Sequence, residues 1–206
     1  MPSAWRSNTG ATWRPPPDCE TSAGARRPSA RRHASCVRAL VASPSVEIRE
    51  ATIDDWPLIF PIFRQMVEDG TTFALPADLS LDEARPWWMT TPPDATIVAV
   101  DSGVVLGSAK MGPNRPGRGS HVATASFIVD PAWRGRGVAT ALGQRMIDWA
   151  RSSGYRGVQF NAVVETNEVA VHLWEKLGFA IIGTVPRAFD HRERGLVGLH
   201  VMYRDL

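Results

Sequence analysis

The run Asp130-Pro131-Ala132-Trp133-Arg134-Gly135-Arg136-Gly137-Val138-Ala139-Thr140 stands between an apolar stretch and an amphipathic one. A helix N-terminus leaves its first backbone N–H groups unpaired and carries the positive end of the helix dipole. A turn that feeds one is therefore an anion site. Gly135 and Gly137 keep Cβ atoms out of the path of an approaching diphosphate, and Pro131 stops the preceding strand. The turn lacks the Gly-Lys-Ser/Thr ending of a P-loop, and it lacks the GxGxxG with a later acidic residue of a dinucleotide site. It does hold Arg134-x-x-Gly137-x-Ala139. By itself this pattern fits a structural turn as well as a phosphate site.

A second group of useful side chains follows in Phe160-Asn161-Ala162-Val163-Val164-Glu165-Thr166-Asn167. In an extended strand Asn161, Val163 and Glu165 share one face. Amides such as Asn161 and Asn167 orient polar substrates, while Glu165 is either a base or a solvated strand-end residue. The histidines His121, His172, His191 and His200 have no metal-ligand spacing, so no metal is expected. Cys19 and Cys36 both precede residue 45, which leaves the rest of the chain without a thiol nucleophile, a disulfide or a cysteine zinc site.

The elements that would position these groups read as follows. Val46–Ala51 alternates as a strand. Asp54 caps a helix with the stripe Ile59, Ile62, Phe63, Met66 and Val67, ending near Gly70. Ser80 and Glu83 have capping-box spacing for a short helix that runs into Trp87-Trp88-Met89, with both tryptophans expected in the core. Strands over Ala95–Asp101 and Val104–Met111 join through Ser102-Gly103. A loop over Gly112–Ser120, carrying Arg115 and Arg118, precedes a strand over Val122–Val129. A helix follows over Gly137–Ser153, then a strand over Val158–Val164, a helix over Thr166–Leu177 and a strand over Ala180–Val185. A charged loop, Pro186–Gly195, leads to a last strand over Leu196–Arg204. The order β-α-α-β-β-β-α-β-α-β-β predicts a mixed α/β (α+β) domain.

Asn167-Glu168-Val169-Ala170-Val171-His172-Leu173-Trp174-Glu175-Lys176-Leu177-Gly178-Phe179 is a short amphipathic helix with a natural C′ glycine. It also resembles the second signature of the GNAT N-acetyltransferases, as Arg134-x-x-Gly137-x-Ala139 resembles the first. The joint occurrence, in order and with a strand between, is far more specific than either piece. The resemblance covers roughly Val46–Leu206. It implies a mixed central sheet with helices on both faces and a splayed parallel pair, Val122–Val129 and Val158–Val164. It also implies acetyl-CoA as co-substrate, with pantetheine laid along the first strand as an added strand. On that resemblance Phe127 and Val129 supply backbone contacts. Arg134, Gly135, Arg136, Gly137, Val138, Ala139 and Thr140 hold the pyrophosphate, and Asn167 meets the pantetheine or thioester.

The match breaks at the acid. Relatives usually carry a tyrosine where this chain has Trp174, and an indole N–H is no proton donor for a thiolate. The glutamate that many relatives use as base on the first splayed strand is also missing. The Phe160–Asn167 run and the ending Val201-Met202-Tyr203-Arg204 resemble the subgroup acetylating L-azetidine-2-carboxylate and related proline analogues. That likeness implies Asn161 at the acceptor amine and Asn167 at the acetyl group. The charged loop Pro186–Gly195 lies where the family grips acceptors.

The first 44 residues form a separate case. Residues 1–45 hold seven arginines against two acids and are rich in Ser, Ala and Pro, which predicts a disordered basic tail. No secretory signal fits, Pro15–Pro17 breaks a transit helix, and an early-assigned start codon would produce the same pattern. A chain beginning at Ser45 is expected to keep fold and activity. Sixteen basic and nineteen acidic residues remain beyond the tail, which argues against a nucleic-acid module. The chain has no membrane-length apolar run, and a reducing, cytoplasmic setting is expected. The expected enzyme acetylates a small-molecule amine, such as an amino or imino acid, and a homodimer is possible. Acetylation of protein N-termini and non-catalytic acyl-CoA binding are the competing readings.

Overall fold

The computed structural model describes residues 46–206; the basic tail and its cysteines lie outside them. The elements are β1 (Glu47–Glu50), α1 (Trp56–Glu68), α2 (Leu81–Trp88), β2 (Ala95–Asp101), β3 (Val104–Pro113), β4 (Val122–Val129), α3 (Val138–Ser152), β5 (Gly157–Val164), α4 (Glu168–Lys176), β6 (Ala180–His191) and β7 (Gly195–Asp205). The strands form a seven-stranded sheet in the order β1-β2-β3-β4-β5-β7-β6. All pairs are antiparallel except β4 with β5. This is the mixed sheet and element order expected from the sequence.

Local chemistry explains the elements. The β2–β3 reversal puts Ser102 at φ 50° and Gly103 at φ 81°, the two positive angles a tight hairpin turn requires. The Ser80–Glu83 capping box forms in both directions at the start of α2. Each sheet face buries its own cluster. Ala109, Met111, Ala123, Leu142, Met146, Phe160 and Trp174 pack on the α3/α4 side. Trp56, Phe63, Trp88, Val98 and Ile128 pack on the α1/α2 side. The α2 helix is tied down by Trp88 Nε1 donating to Ser108 Oγ at 2.9 Å and by Thr96 Oγ1 donating to the Trp88 carbonyl at 3.0 Å.

Four expectations need correction. Asp54 does not cap α1. The Thr52–Asp55 pair does, through a 3₁₀ turn, and buried Asp55 receives both Arg49 guanidinium nitrogens at 2.8 Å. That pair holds the Asp55 carboxyl down at about 2, against burial, which acts to raise it. Trp87 is exposed while Trp88 is fully buried, because only one of two adjacent helical residues can face the sheet.

The charged loop is mostly strand: β6 continues to His191 and only a short reversal separates it from β7. Phe189 and His191 alternate inward there, and shifts of register around Pro186 hide the alternation in the sequence. The reversal docks on the end of α1, where Arg192 N and Nη1 donate to the carbonyls of Gly70 and Glu68.

Finally, Asn161, Val163 and Glu165 do not share a face. The β5–β7 register shifts between Phe160 and Val163, so Val163 joins Phe160 in the core while Asn161 is exposed on the other side.

Candidate active site

Parallel pairing of β4 with β5 is confined to Val122–Gly157 and Ala123–Val158. Beyond it the strands part. His121 carbonyl accepts from Arg156 N, toward β5, whereas Val122 carbonyl accepts from Asn114 N, at the β3 side. Strand alternation then turns the N–H and C=O groups of Ala125, Phe127 and Val129 into the gap. Phe127 and Val129 thus present an unpaired strand edge.

What holds the strands apart is aromatic. Trp174 lies 4.7 Å, centroid to centroid, from both Phe127 and Phe160, and Phe160 stacks on Phe179 at 4.4 Å. These side chains fill the α3/α4 side of the gap. Gly143 on α3 leaves room for the indole, since a Cβ there would come within 3.1 Å of Trp174 Cζ3. Trp174 is a wedge in the core at the position of the family acid. The two described tyrosines stand elsewhere: Tyr155 packs on Trp149, and Tyr203 donates to Asp205 on β7.

The glycine-rich turn leads from the end of β4 into α3. Gly135 sits at φ 74° and Gly137 at φ 84°, and a Cβ on either would meet no other atom within 4 Å. Space is open above both. The first helical bond is Ala141 N to the Gly137 carbonyl. Among the described residues, the N–H groups of Gly135, Arg136, Gly137, Val138, Ala139 and Thr140 find no acceptor. This concave row of donors, with the helix dipole behind it, suits a diphosphate. Arg136 stacks on Trp133 at 4.7 Å and Arg134 reaches Met66 of α1. The residues present therefore fit acetyl-CoA, pantetheine along the β4 edge and pyrophosphate on the turn. Thr166 Oγ1, buried with no hydrogen-bond partner, adds an unspent polar group at the end of β5.

The asparagines part company. Asn167 is the N-cap of α4, its Oδ1 accepting from Ala170 N at 3.2 Å, which leaves its Nδ2 without a partner among the described residues. Asn161 lies on the opposite, α1/α2 side. Its Oδ1 accepts from Gln159 at 2.8 Å and its Nδ2 donates to Asn114 Oδ1 at 2.6 Å. Glu165 turns to β7: Oε1 accepts from Gly198 N at 2.5 Å, and Glu165 N donates to the Gly198 carbonyl at 3.1 Å. Its carboxylate thus tethers the hairpin.

The sequence reading missed the polar side chains on the α1/α2 face beside the gap. Thr124, Ser126, Lys110 and Asp94 line one cavity there. A lone lysine inside the small, apolar strand Val104–Met111 was the available signal. No group of three or more His, Cys, Asp or Glu residues placed to hold a metal occurs among the described residues. No helix among them is long and apolar enough to cross a membrane.

An open parallel strand pair, an unpaired β4 edge and a donor-lined helix start together suit an acyl-CoA-dependent acetyltransferase, and comparison with known proteins agrees on the class of protein. The family model described as "Acetyltransferase (GNAT) family" matches residues 56–179, and the chain belongs to that family. The solved structure of a GCN5-related N-acetyltransferase from Kribbella flavida is 58% identical, with a TM-score of 0.76 over 78% of this chain and 98% of that one. The structure of yncA from Salmonella typhimurium with its cofactor acetyl-CoA is 25% identical, with a TM-score of 0.71 over 78% of this chain and 94% of that one.

Among curated relatives, the N-acetyltransferase aca1 of Schizosaccharomyces pombe is 28% identical over 59% of this chain. The L-methionine sulfoximine/L-methionine sulfone acetyltransferase of Pseudomonas aeruginosa is 31% identical over 69% of this chain. The chain spans 66% of the first relative's length and 85% of the second's.

Proposed function

We propose that this protein moves acetyl from acetyl-CoA to the amine of a small amino or imino acid. The observation that carries the reading is the open β4 edge at Phe127 and Val129 running into the unpaired N–H row of Gly135–Thr140. The relative that acts on L-methionine sulfoximine supports an amino-acid acceptor, and the Phe160–Asn167 resemblance extends the range to proline analogues.

Acetyl-CoA supplies the activated thioester carbonyl; the chain supplies position and polarity. A neutral amine attacks that carbonyl, a C–N bond forms and the C–S bond breaks; the nitrogen gives up one proton to water and the departing thiolate takes one from water, so the two balance. Backbone N–H at Val129 polarises the carbonyl oxygen, because it faces the gap without a strand partner. Asn167, with its oxygen spent on the helix cap, offers Nδ2 to the acetyl or pantetheine side. Asn161, on the other face with Asn114 and Gln159, orients the acceptor amine. Glu165 has its carboxylate on Gly198 and takes no part. With Trp174 in place of a tyrosine, the thiolate leaves onto water or a hydrogen bond.

Thiol release from acetyl-CoA, read with a thiol reagent across amino acids, proline analogues, polyamines and N-terminal peptides, tests the reading. Turnover confined to amino or imino acids is expected. Turnover confined to peptides would replace the acceptor, and acetyl-CoA binding with silence across the panel would favour a non-catalytic acyl-CoA binder. A homodimer is also proposed, since β6 is an edge strand with Ile181, Ile182 and Val185 exposed. Light scattering should return twice the 22.6 kDa chain mass, and the single-chain mass would contradict it.

A further inference from the structure

Lys110 is a cation for which acetyl transfer as drawn has no use. It lies on β3 between buried Ala109 and Met111, and its side chain leaves the sheet on the α1/α2 side. Its register partners are Thr96 on β2 and Ser126 on β4. Nζ donates to the Trp87 carbonyl at 2.6 Å and stands 5.9 Å from the Trp88 ring centroid. An ammonium has three donors, and among the described residues that carbonyl takes one.

Asp94 lies over Gly112, where a Cβ would come within 2.5 Å of the Asp94 Cγ, and it forms no salt bridge with Lys110. Both line a cavity of about 120 Å³ with Thr90, Thr124 and Ser126. The β4 wall of this cavity starts just past Ala123, where β4 leaves β5, so the space adjoins the strand that would carry the donor. Removal from water lowers the Lys110 ammonium's pKa, and the charge of Asp94 acts to raise it. A partly desolvated cation with unfilled donors gains from an incoming anion.

We infer that Lys110 binds the carboxylate of the acceptor, with the Thr124 and Ser126 hydroxyls beside it, and so selects amino acids over amines that lack a carboxyl. The inference rests on the amino-acid reading above and assigns that substrate its anchor. A lysine near the end of α2 also caps the helix through the Trp87 carbonyl, but capping uses one donor and leaves the cavity without a role.

The test is kcat/KM for matched pairs, each an amino acid and the amine left when its carboxyl is removed, in the wild type, Lys110→Met and Lys110→Arg, with thermal unfolding of all three. The wild type should prefer the amino acid at least about thirtyfold, the range of one charge-assisted hydrogen bond. Lys110→Met should collapse that ratio toward one, and Lys110→Arg should restore much of it. A wild type that uses both partners equally leaves the enzyme reading standing and overturns the anchor. A preference that survives in Lys110→Met, with only stability lost, also overturns it and leaves a helix cap. A wild type that acetylates neither partner of any pair overturns both the amino-acid reading and the anchor.

Discussion

The two sides of the parting between β4 and β5 are built from different materials. On the α3/α4 side the gap is packed with Phe127, Phe160, Trp174 and Phe179, and its polar groups are backbone N–H donors at the start of α3. On the α1/α2 side the same strands carry Thr124, Ser126, Gln159 and Asn161, joined by Lys110, Asp94 and Asn114. A rigid apolar wedge beside fixed main-chain donors suits a ligand that is the same in every turnover. A wet face of side chains suits the partner that varies between enzymes. Under the proposed function, one sheet would separate donor from acceptor and let each be specified independently.

The largest expected effect lies in the wedge. Trp174→Ala should cost about 3–5 kcal/mol of stability, as deletion of a buried aromatic does, and denaturant unfolding would read it. A small loss would mean that the aromatic packing does not hold the strands apart. On the α1/α2 side, α1 is anchored by the Arg49–Asp55 pair, and Asp55→Ala should cost about 2 kcal/mol, because it removes the cap of the turn into α1 while Arg49, 39% exposed, returns to water. The pair also has a pH signature. The Asp55 carboxyl is depressed to about 2 when folded from 3.8, so its contribution is complete above the unfolded value and drains away as pH falls toward 2. Unfolding midpoints across that range should show a slope that the variant lacks.

Gly137→Val forces a branched side chain to φ 84° at the head of α3, so acetyl-CoA binding by calorimetry should weaken by about thirtyfold or more. Unchanged affinity would remove the turn from the donor side. The smallest effect belongs to Asn167→Ala, which loses the α4 cap at about 1 kcal/mol. It should also raise KM for acetyl-CoA more than for the acceptor. The opposite split would move Asn167 across the sheet.

The same division explains what the sequence made legible. The donor side is written in consecutive residues: Arg134–Thr140 is one turn, and Asn167–Phe179 is one capped helix. Both are read from spacing because helix ends are local objects. The proposed acceptor side draws Lys110, Ser126 and Asn161 from three strands and Asp94 from the turn before β2, and each looks like ordinary strand or loop polarity until the sheet brings them together. The register shift after Phe160 was equally silent, since a bulge changes which face a residue takes without changing the residue. It separated Asn161 from Val163 and Glu165. The end of β6 was misread for a related reason: Arg187 and Asp190 on its exposed side masked the inward pair Phe189 and His191.

The most direct test of the account incubates the full chain with acetyl-CoA carrying a ¹³C-labelled acetyl group and an equimolar mixture of amino acids, their decarboxylated counterparts, proline analogues, polyamines and short peptides, then identifies by mass spectrometry which amine has gained the label. The account predicts label on the amino group of one or a few free amino or imino acids, and none on their decarboxylated counterparts. Label confined to peptide N-termini or polyamines, or no label on any amine while acetyl-CoA binds, would contradict it.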